Sequence, residues 1–264
     1  MKKNTIIMNF SGIYEEETFY KDQEICWINC RDISGVNGYC SDDAREEIRR
    51  RIQDYDYRGI HFLDSGNYHY LSRFWLEKIR EPYSLVVFDH HTDMQESAFF
   101  GMLSCGSWIR EVVENDPFVR EICVVGPPRE AAAQCEPELA SKVVFLTWEE
   151  LEEGGLDPWI SFLEGRGDLP VYLSIDKDVL SRDDARANWD QGEMSLEDLE
   201  AMIRQVFQKR NVLGADICGE NPQDTARMPS EEELEINSRT NRRLDELLKG
   251  QKTEQKEVQQ RVKC

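Results

Sequence analysis

Eight short runs rich in β-branched and aromatic residues recur along this chain, at 5–9, 24–29, 59–63, 84–88, 121–125, 142–146, 170–175 and 212–217. The intervals leave room for helices, and residues 42–54, 70–80, 106–115 and 195–209 carry helical periodicity. Ser195, followed three residues later by Asp198, marks the start of the last of these. Alternation of strand and helix implies a mostly parallel sheet covered by helices on both faces. Several strands, such as Leu85-Val86-Val87-Phe88, are continuously apolar, as expected when neither face meets water. The expected fold is therefore α/β, a three-layer α/β/α sandwich around a roughly eight-stranded, mostly parallel sheet.

At 264 residues the chain suits one α/β domain. From Pro229 the composition turns to Glu, Lys, Arg and Gln, which divides an expected core at 1–228 from a charged tail at 229–264. Leu234, Leu244, Leu247 and Leu248 give the tail a narrow apolar stripe for a docked helix. Beyond Gly250 apolar residues almost vanish, and fraying is expected.

A formal net charge of −20 argues against a nucleic-acid surface, which needs basic patches. No apolar run approaches the ~18 residues that would cross a bilayer, so no membrane partner is expected. The start of the chain lacks the long apolar stretch of a secretory leader. Eight cysteines without a C-x-x-C pair fit a reduced, cytoplasmic protein, with Cys123 and Cys218 acting as small hydrophobes within strands.

Chemistry concentrates at two strand ends. Asp89-His90-His91-Thr92-Asp93 follows one apolar run, and Asp176-Lys177-Asp178 follows another. Alternate side chains of an extended segment share a face, so Asp89, His91 and Asp93 can converge, as can Asp176 and Asp178. Four carboxylates in one buried pocket repel one another unless cations lie between them. That pattern is the chemistry of a two-metal site, at the carboxyl ends of strands, where open α/β sheets bind their ligands. His90 is expected on the opposite face from His91, and His61, inside a strand, is expected to be a core histidine.

Just beyond the run at 59–63 lies Gly66-Asn67-Tyr68-His69. The order Gly-x-x-His, Asp-x-His-x-Asp, Ser-x-Asp-x-Asp resembles the arginase–agmatinase (ureohydrolase) family over roughly residues 59–222. The resemblance implies two Mn²⁺ ions, with Fe, Co or Zn as alternatives. One would be held by His69, Asp89, Asp93 and Asp176, the other by His91, Asp89, Asp176 and Asp178. It also implies a bridging hydroxide, with Asp93 assisting proton transfer.

The chain departs from the family pattern in four places. Tyr68 stands where members commonly have Asp. Ser104-Cys105-Gly106-Ser107-Trp108 lacks the family's shuttle histidine; Cys105 is expected to be a buried structural cysteine, with Cys105 or a water as the alternative substitute, and Trp108 is expected to pack in its helix, with a place in the pocket wall as the alternative. Gly219 occupies the position of the glutamate that anchors a guanidinium, and Glu220 comes one residue later; an irregular backbone at Gly219 would be needed to aim it inward. The substrate loop reads Arg186-Ala187-Asn188-Trp189-Asp190-Gln191-Gly192-Glu193, from which Trp189 and Asp190 are the candidate substrate contacts.

Together these readings predict a metal-dependent hydrolase that cleaves a C–N bond of a guanidino, amidino or linear amide group, in a small molecule or a peptide. The competing reading is a catalytically silent metal-binding regulatory or scaffold protein on the same fold. Assembly into a homo-oligomer is compatible with either.

Overall fold

A computed structural model describes residues 5–97, 101–165, 167–222 and 228–262. Among the described residues ten strands are present: β1 (Thr5–Asn9), β2 (Ile25–Asn29), β3 (Tyr39–Cys40), β4 (Ile60–Phe62), β5 (Tyr83–Phe88), β6 (Leu103–Ser104), β7 (Val119–Val125), β8 (Val143–Leu146), β9 (Val171–Asp176) and β10 (Val212–Cys218). The helices are α1 (Ile13–Glu16), α2 (Asp42–Ile52), α3 (Leu71–Leu76), α4 (Trp108–Asn115), α5 (Arg129–Ala133), α6 (Pro137–Ala140), α7 (Trp148–Glu152), α8 (Asp157–Gly165), α9 (Leu196–Lys209) and α10 (Glu231–Val262).

Eight strands form one sheet in the order β2-β1-β4-β10-β9-β5-β7-β8, and every neighbouring pair in it is parallel. The eight runs read from the sequence are these eight strands, with ends shifted by no more than two residues. The short antiparallel pair β3–β6 lies outside the main sheet; two residues per strand are too few to leave a periodic signature.

Two apolar layers follow from the pleat. On one side Ile6, Met8, Leu85, Val87, Ile122 and Val124 meet Ile48 of α2, Phe74 and Trp75 of α3, and Ile109 and Val112 of α4. On the other, Ile7, Val86, Phe88, Leu173, Ile175 and Ile217 meet Trp159 of α8, Leu199, Ile203 and Val206 of α9, and Leu244 and Leu248 of α10. Every residue of β1, β5, β9 and β10 is buried, which explains their unbroken apolar runs. Ser195 caps α9, its hydroxyl accepting from Asp198 N at 3.1 Å.

The helix α10 continues past Gly250, where the composition predicts fraying. Two polar side chains hold it to the sheet's amino-terminal side. Lys252 Nζ donates to Arg58 O at 2.7 Å, and Gln255 Nε2 donates to Arg210 O at 2.6 Å. Capping carbonyls left free at strand starts is a polar way to dock a helix that has run out of apolar residues.

The inserted strands decide where function can gather. The chain lays β1, β2 and β4 toward one edge and β5, β7 and β8 toward the other, then places β9 and β10 between β4 and β5. The carboxyl ends of β4, β10, β9 and β5 thus lie side by side at the sheet's topological switch, the usual place for a ligand crevice.

Candidate metal centre

Each of these four strand ends delivers a polar group to one pocket. After β4, a 3₁₀ turn at Gly66–Tyr68 leads into α3 and sets His69 at its close, with the backbone N–H of His69 bonded to Gly66 O at 3.1 Å. After β5 the chain leaves extended geometry, and Asp93 adopts φ 47°, a left-handed conformation rare outside glycine. β9 ends on Asp176, whose carboxylate caps the following turn by accepting from Asp178 N at 3.0 Å. All six predicted ligands are brought together, and five of them are buried; His91, with a third of its side chain exposed, faces outward.

His69 Nδ1 lies 3.0 Å from Asp89 Oδ2, 3.2 Å from Asp93 Oδ2 and 3.5 Å from Asp176 Oδ2. His91 Nδ1 lies 2.9 Å from Asp178 Oδ2 and 3.4 Å from Asp89 Oδ1. Donor atoms of His69, Asp89 and Asp93 fall within 4.8 Å of one another, as do those of Asp89, His91 and Asp178. Asp89 belongs to both groups, one oxygen toward each imidazole.

The hydrogen bonds around His69 show what this arrangement expects. Ser174 Oγ donates to Asp216 Oδ1 at 2.6 Å, so toward His69 Nε2, 2.9 Å away, it must accept. In the neutral form of the ring the proton therefore sits on Nε2, which leaves the Nδ1 lone pair toward three carboxylates. With protons alone, burial opposes a charge on His69, but Cys218, Asp89 and Asp93 outweigh it and raise its pKa well above the usual imidazole range. Both His69 Nδ1 and Asp89 Oδ2 are buried without a hydrogen-bond partner, despite their separation of 3.0 Å. Electron-rich atoms aimed at a common point rather than at one another fit a cation between them.

Titration tells the same story. Burial disfavours a charge on His91, yet Asp178 and Asp89 outweigh it and raise its pKa to about 12. Burial likewise opposes ionisation of Asp89, but His69 and His91 hold it below the usual carboxylate range. Asp93 is pushed up to about 7 by burial and by the charge of Asp89. Asp178 is raised by burial, Asp176 and Asp89. The pocket recruits positive charge from protons where a metal ion would supply it.

Several residues differ from expectation. His90 lines the same cleft as His91, their ring centroids 5.5 Å apart, because β5 stops at Phe88 and the alternation of faces stops with it. Trp108 does more than pack: its Nε1 donates to Asp93 Oδ2 at 2.7 Å. Cys218, read as a small hydrophobe, has its Sγ 3.1 Å from Asp176 Oδ2. Cys105, by contrast, agrees with the structural reading: it is half-buried, and burial pushes its thiol up to about 12, too high to relay protons at neutral pH. Tyr68 stacks on Phe10 with centroids 4.6 Å apart.

Of the three candidate substrate contacts, two border the pocket. Trp189 is half exposed; it approaches His91 edge-on with centroids 5.8 Å apart, and its Nε1 donates to Asn67 Oδ1 at 2.9 Å. A Cβ on Gly66 would stand 2.7 Å from its ring, so the bare backbone there lets the indole lie close. Asp190 lines a cleft of about 340 Å³ with His90, His91, Thr92 and Gln95. Glu220 is not brought to these two. Gly219 does break the strand, at φ +94°, but Glu220 is fully buried with its carboxylate bonded to Lys177 Nζ and to Asn237 Nδ2 and Asn241 Nδ2 of α10 at 2.8 Å each.

Fold and site together define an α/β/α protein with a carboxylate–histidine pocket, able to hold metal ions, at the switch point of a parallel sheet. The sequence pattern of the arginase family matches residues 65–232, and the chain belongs to that family. An uncharacterized protein of Thermotoga maritima is 35% identical over 231 residues, spanning 87% of this chain and 85% of its own. Formimidoylglutamase from Bacillus subtilis superposes with a TM-score of 0.67 at 15% identity, covering 95% of this chain and 87% of that one. Formiminoglutamase from Trypanosoma cruzi with two Mn²⁺ gives 0.66 at 11% identity, covering 94% of each. At such identities the structures speak to the fold alone. Among the described residues no helix is long and apolar enough to cross a membrane.

Proposed function

We propose that this protein is a dinuclear-metal hydrolase that cleaves a C–N bond of a guanidino, amidino or linear amide substrate. The observation that carries the reading is the six-residue pocket, with His69 Nδ1 and Asp89 Oδ2 buried and unpartnered, bordered through His91 by an open cleft. Mn²⁺ suits oxygen-rich ligation with two imidazoles, and the T. cruzi structure carries that metal. When bound, such ions supply Lewis-acid charge and a water acidic enough to attack at neutral pH.

The chain's own groups do the rest. Asp93, fixed by Trp108, takes the proton of the attacking water. The departing nitrogen receives that same proton, with His90, a cleft imidazole outside the ligand set, as its relay. Asp190 supplies a carboxylate for a cationic or N–H-rich substrate end, and Trp189 covers it and excludes water. With Glu220 engaged by α10, guanidinium recognition falls to Asp190, and a formimidoyl group, the one in the name of the B. subtilis protein, or an amide is as well served as a guanidino group.

The test is metal content by elemental analysis before and after Mn²⁺ addition, followed by a screen for urea or ammonia release from guanidino, formimidoyl and amide compounds, including arginyl peptides. Close to two ions per chain with turnover, both lost in Asp176→Asn while the fold persists, is the expected result. Two ions bound and no release from any compound would overturn catalysis in favour of a metal-binding protein.

A further inference from the structure

A seventh donor faces the pocket from β10. In the parallel pairing of β9 and β10, Cys218 stands opposite Asp176, and the side chain is fully buried. Its sulfur lies within 4.8 Å of ligand atoms of both His69 and Asp176, a spacing that lets all three reach one ion. The neighbouring His69 Nδ1 is itself buried and unpartnered, aimed at the same space. Cys218 Sγ donates to a carboxylate oxygen, Asp176 Oδ2 at 3.1 Å, a surrounding unlike that of a cysteine kept for its apolar bulk.

We propose that Cys218 is a metal ligand, its thiolate joining His69 and Asp176 on the ion nearer His69. The inference rests on the dinuclear reading above and refines it. A sulfur–metal bond forms as the S–H bond breaks, and the proton leaves to buffer. The two positions then differ in kind. The one built on Asp89, His91 and Asp178 is all nitrogen and oxygen and suits Mn²⁺. The one at His69 gains a soft donor and favours Zn²⁺, Co²⁺ or Fe²⁺. Such a centre holds two unlike metals.

Cobalt reports the sulfur directly. The full-length protein, stripped with chelator, is titrated with Co²⁺ while the sulfur-to-cobalt charge-transfer absorption and the visible ligand-field bands are followed. The expected result is a charge-transfer band saturating at one equivalent, absent from both Cys218→Ser and Cys218→Ala, with ligand-field bands retained in each. In parallel, preference for Zn²⁺ over Mn²⁺ falls about tenfold or more in Cys218→Ser, the scale of losing one partner at a metal site. Ligand-field bands without charge transfer in the parent protein would overturn the role of Cys218 and leave the dinuclear reading standing. A charge-transfer band that survives in Cys218→Ala would assign the sulfur to another cysteine and also overturn it. No cobalt uptake at all would overturn the dinuclear reading itself.

Discussion

Lys177→Met should destabilise the protein far more than its single pair of contacts suggests. Lys177 and Glu220 are both fully buried and bonded to each other. Without the ammonium, Glu220 keeps two neutral amide donors, Asn237 and Asn241, at 2.8 Å each. Asn241 also donates to Glu17 at 2.9 Å, so a second buried carboxyl stands close by. Burial and the charge of Glu220 already push the Glu17 pKa well up. Removing one member of a buried pair costs about 3–5 kcal/mol, a third or more of a domain stability of about 10 kcal/mol. Lys177→Met/Glu220→Gln removes the stranded charge and should return to within about 1–2 kcal/mol of the parent, since neutral replacements of buried pairs are well tolerated. Urea unfolding of chelator-treated samples, with the m-value checked for constancy, measures both. A single variant within about 1 kcal/mol of the parent, or a double variant no more stable than the single one, would refute the reasoning.

Three further expectations are open to measurement. Mn²⁺ at a hundredfold excess over Kd should stabilise the parent by about 2.7 kcal/mol for each ion bound, and Asp89→Asn, which removes the carboxylate common to both ligand groups, should erase that gain; an unchanged Mn²⁺-dependent Tm shift would count against the shared role. Burial lowers the His61 pKa to about 3, against about 6.5 for an unfolded imidazole. Between those values the unfolded chain binds a proton that the folded chain refuses, so stability rises with pH through the window and is lost as pH falls below about 6.5. His61→Phe, keeping the 3.7 Å stack on Trp75, should flatten that acid limb by up to about 4–5 kcal/mol, and parallel pH curves for the two proteins would contradict it. Gly219→Ala puts a Cβ 2.5 Å from Asp176 Oδ1 at φ +94°; a loss of about 1–3 kcal/mol with weakened Mn²⁺ uptake is expected, and an unaltered urea midpoint would show that the strand end is pliable.

The sheet was legible because its strands are buried on both faces, leaving unbroken apolar runs such as Leu85-Val86-Val87-Phe88. Five of the six converging residues were legible because they follow those runs directly, at the ends of β5 and β9; His69, beyond a 3₁₀ turn after β4, was legible only through the family motif. What escaped depends on geometry that begins where the strand stops. His90 reaches the cleft because the alternation lapses after Phe88, and Asp93 takes a left-handed backbone that nothing in the local sequence demands. Cys218 meets Asp176 across 42 residues of chain, through a strand pairing that periodicity cannot register. Trp108 reads as core at helical spacing, and only the bond to Asp93 shows its second use. The far half of α10 is held by carbonyl-capping polar side chains, which composition counts as solvent-facing.

Asp176-Lys177-Asp178 looks both ways. Its carboxylates turn to the ion pocket, while the ammonium between them turns to Glu220 and, through that carboxylate, to Asn237 and Asn241 of α10. Three consecutive residues thus serve as a hinge pin between the chemistry and the last helix. If the proposed ions bind, filling the pocket and seating the helix are linked equilibria, and whatever free energy one lends the other is returned in equal measure. A signal that lifts α10 from the sheet would then reach the proposed ligands in a single residue's step.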